Sequence, residues 1–220
     1  MSNIFTKDYT INIYDVDSNM NCKYSSLMNY LWDVVISQTD SLGETKHGLV
    51  HNCVWVLLKY DLKILEYPKF RDRITVETEA IGIKKLYGYR RCTIKNSVGK
   101  VILSGISTAM LIDIEKGRPA KISPEQLEIY GIQKELDEII TLDDFIKLEV
   151  PSITRAYTVR HSYIDSNNHV NNVKYIEMAV DTLPNELLDQ YKISDIKVLF
   201  KKEASEGSTL HFNTDIIRNN

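Results

Sequence analysis

The hydrophobic positions of the chain follow two periods, which predict one long helix and several long strands. Apolar residues recur every three or four positions from 27 to 42, and Gly43 follows, as is typical of a helix ended by a glycine. Alternating Val, Ile, Thr and Tyr positions, bounded by turn residues, predict an antiparallel meander of about four strands at residues 52–65, 73–81, 85–95 and 100–114. A helix followed by long antiparallel strands indicates an α+β fold in which a sheet wraps around the helix.

This order of elements occurs twice along the chain. Asp17-Ser-Asn-Met-Asn21, followed by Lys23-Tyr24 and the helix, returns as Asp165-Ser-Asn-Asn-His169, followed by Lys174-Tyr175 and a second helical pattern. One face of that second pattern carries Ile176, Ala179, Val180 and Leu183. Each copy is preceded by a predicted strand, at residues 9–14 and 157–163, and followed by an apolar strand, at residues 54–62 and 193–200. The sequence therefore predicts a duplicated strand–helix–sheet unit.

A change of composition separates the two copies. Ser123-Pro124-Glu125-Gln126 is a capping box with proline at the first helical position, so a short helix is expected there. Ten acidic and five basic side chains between residues 103 and 149 indicate an exposed connection. We therefore predict a first unit at 1–122, a linker with short helices at 123–150 and a second unit at 151–220. Compared with the first, the second is expected to lack roughly two strands at its C-terminus, which leaves a sheet edge that a homodimer could cover.

Charge and cysteine content narrow the class of protein. Lys and Arg number 27 against 30 Asp and Glu, which argues against a dedicated nucleic-acid binder. Cys22, Cys53 and Cys92 lie far apart and form no CxxC pair, which favours reduced thiols. The first residues lack a signal-peptide pattern, and no apolar run reaches the length of a membrane helix. We expect a cytoplasmic protein that binds neither nucleic acid nor a membrane.

Polar side chains concentrate immediately before the second helix, between Asp165 and Tyr175. A helix N-terminus presents unpaired N–H groups and a partial positive charge, which suit it to hold an oxyanion. The same Asn and Asp side chains can serve only as helix caps and Asx turns. Their spacing alone leaves both interpretations open.

The pattern D-x-N-x-H-V-N-N-x-x-Y in this segment resembles the acyl-acyl carrier protein thioesterase family, whose members carry two hot-dog units in one chain. First-half stretches also agree with that family, among them LEYPKFRD at 65–72 and GIKKLY at 82–87, so the resemblance covers nearly the whole chain. It implies tandem hot-dog units, each an antiparallel sheet wrapped around a long helix. It also implies hydrolysis of an acyl carrier protein thioester to a free fatty acid, with no cofactor and no metal.

The resemblance also implies the site residues. Asp165, Asn167 and His169 match the family's Asp, Asn and His, and Glu203 stands where the family places an acidic residue on the strand after the helix. Some members have a cysteine next to that glutamate, whereas this chain has Ala204, so water is the expected nucleophile. A backbone N–H and the Asn167 amide would stabilise the oxyanion, and Asp165 would orient its neighbours. Either Glu203 or His169 acting with it would remove the proton from water, and the sequence does not decide between them.

The first copy departs from this pattern. Asn21 stands in the place of His169, and Lys63 lies near the place of Glu203, so we expect one site per chain. The resemblance assigns the acyl pocket to the first unit, and the apolar residues of 27–42 and 54–58 are candidates to line it. An apolar stripe at helical spacing is, however, typical of ordinary core packing.

The basic side chains bear on the partner. An acidic carrier protein would be attracted to exposed basic pairs, although strand lysines are commonly only solvated. The pairs are Lys84-Lys85, Arg90-Arg91 and Lys201-Lys202. Two alternatives remain beside the carrier-protein thioesterase: an acyl-coenzyme A thioesterase, and a non-catalytic hot-dog module that binds acyl thioesters. The presence of all four site residues together favours an enzyme.

Overall fold

A computed structural model describes residues 4–43, 53–132, 135–140, 145 and 148–217. Within these residues the strands are β1 Ile4–Thr10, β2 Cys53–Ile64, β3 Arg73–Lys84, β4 Tyr87–Asn96, β5 Val101–Asp113, β6 Arg118–Pro119, β7 Ile153–Thr158, β8 Asp195–Leu199 and β9 Thr209–Thr214. The α-helices are α1 Tyr24–Ser41, α2 Pro124–Ile129, α3 Asn172–Val180 and α4 Asn185–Gln190. The chain forms two compact units, Met1–Leu142 with Ile193–Leu199, and Asp143–Lys192 with Phe200–Asn220.

The first unit is an antiparallel sheet packed against α1, as predicted. The strand order is β1-β3-β4-β5-β2-β8, and β6 pairs with β5. Four residues on one face of α1 are completely buried: Leu27, Met28, Leu31 and Val34. Gly43 follows the helix at φ +73° and its N–H donates to Asp40 O, so the predicted glycine cap is confirmed.

The predicted four-strand meander is correct for β3, β4 and β5 and wrong for β2. β2 pairs with β5 on one side and β8 on the other, and not with the strand that follows it. The connection between β2 and β3 is too long for a tight hairpin. Its last residues bond to Ile11 at the end of β1, through Ile11 N to Asp72 O and Arg71 N to Ile11 O, both 2.9 Å. β3 is thereby placed beside β1.

The second unit contains β7, α3, α4 and β9, and β7 pairs with β9. α3 ends at Val180, earlier than the apolar face through Leu183 predicted. Pro184 is the reason, because the residue before a proline is disfavoured in helical conformation and Pro184 instead precedes α4. The sequence pattern predicted neither α4 nor β9.

The predicted duplication is confirmed by strand register. In the first copy Thr10 pairs with Arg73, and in the second Thr158 pairs with Thr209, with the same register along both strand pairs. In both copies a short 3-10 helix follows the strand, at Ile13–Asp15 and His161–Tyr163. The strands predicted at 9–14 and 157–163 are therefore misplaced, because the backbone turns where the apolar alternation continues.

The helix starts give the correct equivalence between the copies. Lys23 N donates to Asp15 O, and Asn171 N donates to Tyr163 O, so Lys23 and Asn171 are counterparts. The predicted match of Lys23-Tyr24 with Lys174-Tyr175 is wrong by three residues.

The observed units differ from the predicted boundaries in two places: the first unit extends to Leu142, into the predicted linker, and it also includes a segment of the predicted second unit. Ile193–Leu199 lies with the first unit because β8 pairs with β2. The capping box predicted at Ser123 is present at the start of α2. Much of the remaining linker, at 133–134, 141–144 and 146–147, falls outside the described residues. Within the described part of the chain, no helix combines the length and apolarity that crossing a membrane requires.

Candidate functional site

Backbone hydrogen bonds shape the loop that precedes α3. Asp165 N donates to His169 O at 2.9 Å, and Asn168 N donates to Asp165 O at 3.0 Å. Asn168 takes the left-handed conformation at φ +63°, which asparagine tolerates better than most residues. Ile164 and Val170 form a β-bridge at the base of the loop. The turn fixes His169 three residues before the helix begins.

Asp165 and Asn167 act differently in this loop. Asp165 Oδ1 accepts the backbone N–H of Asn167 at 2.8 Å, an Asx turn, so the carboxylate orients the loop backbone. The Asn167 side chain is exposed and bonds to no other described residue. The predicted site residues Asp165 and His169 are therefore linked through the backbone, and the Asn167 amide lies at the loop surface.

His169 and Glu203 come together, as the resemblance implies. His169 Nε2 lies 2.9 Å from Glu203 Oε2, and the two side chains are 39% and 58% exposed. Val170 N donates to Ala204 O at 3.0 Å, which ties the neighbours of both residues to each other. Glu203 lies four residues beyond the end of β8, so its predicted place on that strand is wrong. The contact puts an imidazole and a carboxylate at a water-accessible point, a pairing suited to general acid–base chemistry.

The first copy lacks this pair. Cys22 N donates to Pro68 O at 2.7 Å, which corresponds to the Val170–Ala204 bond, so the counterpart of Glu203 is Tyr67. The expectation that Lys63 occupies that place is wrong. Tyr67 donates its O–H to Ile193 O at 2.8 Å and belongs to the packing of the first unit.

The backbone N–H at the histidine position also differs between the copies. Asp17 Oδ1 accepts from Asn19 N at 2.8 Å and from Asn21 N at 3.0 Å. In the second copy the Asp165 carboxylate takes only one such bond, and His169 N has no partner among the described residues. The second loop thus presents a free N–H beside the His169–Glu203 contact, as stabilisation of an oxyanion requires.

The interpretation of the polar segment as a helix cap is confirmed for one residue. Asn171 is the N-cap of α3, and its Oδ1 accepts from Val173 N at 2.8 Å. Neither this cap nor a second pair, in which His161 Nδ1 lies 3.0 Å from Glu206 Oε2, was predicted from the sequence. The signal for the cap was an asparagine one residue before an apolar helical pattern.

None of the three cysteines forms a disulfide, and all three belong to the first unit. Burial raises the pKa of Cys22 to about 12, and burial likewise raises the pKa of Cys92. Such thiols are held in the unreactive protonated form.

The first unit also contains a cavity of about 270 Å³, lined in part by Asp61, Lys63 and Ser104. Tyr60 and Leu62 are buried in the core, so the intervening Asp61 points to the other face of the sheet. This cavity involves none of the apolar residues predicted to line an acyl pocket. The α1 residues that were predicted to line the pocket include the side chains that are completely buried in the core of the first unit.

The predicted basic pairs differ in whether their side chains already have polar or acidic partners. The Arg90 guanidinium is directed into the first unit, where it donates to Gln38 Oε1 and, at 3.0 Å, to Thr78 Oγ1. Arg91 pairs with Glu79. Arg90-Arg91 is therefore not a free basic pair, whereas Lys201 and Lys202 are exposed and form no ion pair with a described residue.

Family models cover most of the chain. The model described as "Acyl-ACP thioesterase N-terminal domain" matches residues 2–130, and the model described as "Acyl-ACP thioesterase C-terminal domain" matches residues 147–220. Among curated relatives, the palmitoyl-acyl carrier protein thioesterase of Gossypium hirsutum is 24% identical over 99% of this chain and 56% of its own length. The dodecanoyl-[acyl-carrier-protein] hydrolase of Cinnamomum camphora is 22% identical over 97% of this chain and 59% of its own. The chain thus spans little more than half the length of these relatives.

Solved structures share the fold. A candidate oleoyl thioesterase from Lactobacillus plantarum superposes with a TM-score of 0.89 at 26% identity, over 96% of this chain and 83% of that one. The 12:0-ACP thioesterase of Umbellularia californica gives a TM-score of 0.82 at 19% identity, over 94% and 80%. The predicted α+β fold of tandem hot-dog units is confirmed.

Proposed function

The chain belongs to the acyl-ACP thioesterase family, and from this membership we propose that it hydrolyses acyl-ACP thioesters to a free fatty acid and the carrier thiol. One observation carries the proposal: the 2.9 Å contact between His169 and Glu203, both open to water, beside an unpaired backbone N–H. The first copy of the same loop has none of these features. Because only the second copy of the duplicated unit has these groups, we expect one active site per chain.

The proposed mechanism uses water as nucleophile. Glu203, held by His169, takes a proton from water while the oxygen bonds to the thioester carbonyl carbon. The negative charge moves to the carbonyl oxygen, where His169 N–H and the Asn167 amide can stabilise it. The tetrahedral intermediate then collapses, the C–S bond breaks, and the thiolate takes the proton back from Glu203 or His169. Asp165 supports the loop through its bond to Asn167 N.

Carrier protein is the proposed form of the acyl donor. The relatives named above are carrier-protein thioesterases, and exposed Lys201 and Lys202 directly precede Glu203. Basic side chains beside the site would attract an acidic carrier and its thioester. Hydrolysis of acyl-coenzyme A would use the same chemistry but would lack the contact between these lysines and a carrier protein.

The test is steady-state hydrolysis of a graded series of acyl chains, each presented on carrier protein and on coenzyme A. We expect thiol release with a higher kcat/KM for the carrier-bound members. Equal or better turnover of coenzyme A thioesters would transfer the assignment to an acyl-coenzyme A thioesterase. Binding without turnover of any member would leave the non-catalytic acyl-thioester module and contradict the enzyme.

Location and assembly belong to the same proposal. We place the protein in the cytoplasm because three cysteines that form no disulfide suit a reducing compartment. Cell fractionation tests this.

A homodimer through the second unit stays a prediction, which light scattering of the purified protein would decide.

A further inference from the structure

Tyr175 carries a buried hydroxyl that the mechanism above does not use. It lies on the first turn of α3, and its ring centroid is 6.1 Å from that of Phe200. The hydroxyl oxygen is inaccessible to solvent and makes no hydrogen bond of good geometry with a described residue. A buried hydroxyl without a partner is unfavourable, so such groups in folded proteins usually serve a purpose.

The surroundings of this hydroxyl identify its partner. Tyr175 packs in the same hydrophobic cluster as Ala204, the residue that follows Glu203, and its ring lies near that of Phe200 in the same segment. Burial raises the pKa of Tyr175, the nearby Ala204 N–H lowers it, and the charge of Glu203 raises it further. The O–H proton has no acceptor among the described residues, and the carboxylate of Glu203 is the anion whose charge acts on it.

Comparison of the two copies supports a role in the site. The counterpart of Tyr175 in the first copy is Leu27, which is completely buried. The counterparts of His169 and Glu203 are Asn21 and Tyr67. The residue differs between the copies at all three positions, and only the second copy combines a tyrosine, a histidine and a glutamate there. Packing does not demand a tyrosine here, because leucine fills the same place in the first unit.

We propose that Tyr175 is a positioning residue that donates its O–H to the Glu203 carboxylate when substrate binds, and so fixes the oxygen that receives the proton from water. Glu203 is more than half exposed and held on one side by His169. A second anchor from α3 restricts its rotation, which general base catalysis requires. This inference rests on the proposed thioester hydrolysis.

The test removes the hydroxyl and keeps the ring. Tyr175→Phe is expected to lower kcat about tenfold with KM unchanged, because the hydroxyl contacts the base and not the substrate. The melting temperature is expected to stay or rise, since an unpartnered buried hydroxyl is lost. Tyr157→Phe is the matched control, because Tyr157 packs in the same hydrophobic cluster, and it should retain wild-type kcat.

A double-mutant cycle separates positioning from packing. If Tyr175 acts through Glu203, Tyr175→Phe combined with Glu203→Gln should be no slower than Glu203→Gln alone. Wild-type kcat in Tyr175→Phe, or two losses that multiply independently, would overturn the inference.

A readout without activity keeps the two proposals distinct. The 13C resonance of the Glu203 side-chain carboxyl, measured with an unreactive acyl thioether bound, should move in Tyr175→Phe and not in Tyr157→Phe. If the wild type turns over no thioester, the proposed function fails while this resonance still decides the role of Tyr175. An unmoved resonance overturns the inference even in an active enzyme.

Discussion

At the scale of single residues, the equivalent loops of the two copies differ in the hydrogen bonds of their aspartates. Asp17 holds its loop with two bonds to backbone N–H groups, whereas Asp165 holds the second with one. The released N–H belongs to His169, whose side chain meets Glu203. With a few substitutions, the same backbone scaffold thus gains the His–Glu contact and the backbone N–H that the proposed mechanism uses.

The first prediction compares two His–Glu pairs of the second unit. His169→Ala and Glu203→Ala should each lower kcat/KM by about 10²-fold or more, because each removes part of the proton-transfer pair. His161→Ala and Glu206→Ala break a similar contact of 3.0 Å outside the loop and should leave hydrolysis unchanged. Thiol release from one thioester measures all four variants. Loss in His169→Ala with retention in Glu203→Ala would contradict Glu203 as the base.

The sequence predicted the residues of this pair but not all of their setting. Asp165, Asn167 and His169 lie in one short segment, so a motif finds them. Glu203 is distant in sequence, and the prediction of Lys63 as its counterpart is wrong because Lys63 lies within β2, whereas Glu203 lies beyond the end of β8. The Tyr175 hydroxyl was not predictable, because a tyrosine on an apolar helix face is expected to pack.

At the scale of elements, long periodic segments were predictable and their pairing was not. α1 and β3 to β5 follow from spacing alone, since buried positions recur over three or more turns or along whole strands. β2 pairs with β5, while β3 is held beside β1 by bonds of Ile11 to Arg71 and Asp72, and no local pattern encodes these contacts. The short elements next to Pro184 and after Thr10 were misplaced because the apolar pattern continues past the point where the backbone turns.

The second prediction concerns the caps of the two equivalent helices. Asn171→Ala should destabilise the protein by about 1 kcal/mol, because Val173 N then loses its acceptor. Lys23, the counterpart at the start of α1, makes no side-chain cap, so Lys23→Asn should stabilise by a similar or smaller amount. Urea unfolding of both variants measures the effect. Equal midpoints for wild type and both variants would contradict the capping account.

At the scale of the whole molecule, exposed charge bears on how a carrier is met. The formal charge is −3, yet Lys201 and Lys202, which directly precede Glu203, form no ion pair within the part of the chain that the structure describes. Other basic side chains are neutralised in place, such as Lys95 by Glu77 and Lys100 by Glu66. Local rather than net charge is therefore the property that an acidic partner would sense.

The third prediction tests this surface with salt. Hydrolysis of carrier-bound substrate should slow as ionic strength rises, and Lys201→Glu with Lys202→Glu should lower kcat/KM about tenfold and flatten the salt dependence. The double variant Lys84→Glu with Lys85→Glu tests whether the carrier instead docks at the other predicted lysine pair. Coenzyme A thioesters provide the reference, since they lack the carrier surface. A rate for carrier-bound substrate that ignores salt and both double variants would exclude docking at these lysines.

The fourth prediction follows from the tyrosines of the first unit. Burial raises the pKa values of Tyr60 and Tyr67 above the ordinary value of 10.0. Both groups are protonated in folded and unfolded chains below pH 10. Above it the unfolded chain releases protons that the folded chain keeps, so the free energy of unfolding falls as pH rises, by up to about 1.4 kcal/mol per pH unit for each such group.

Urea unfolding between pH 8 and 11 measures that slope. Tyr60→Phe should reduce it because one buried ionisable group is gone, whereas Tyr14→Phe removes a tyrosine that is 72% exposed and should leave it nearly unchanged. The thiol of Cys22, with its pKa raised by burial to about 12, adds to the slope from about pH 9, and Cys22→Ala separates that part. Equal slopes for wild type and Tyr60→Phe would mean that the buried phenol does not couple ionisation to unfolding.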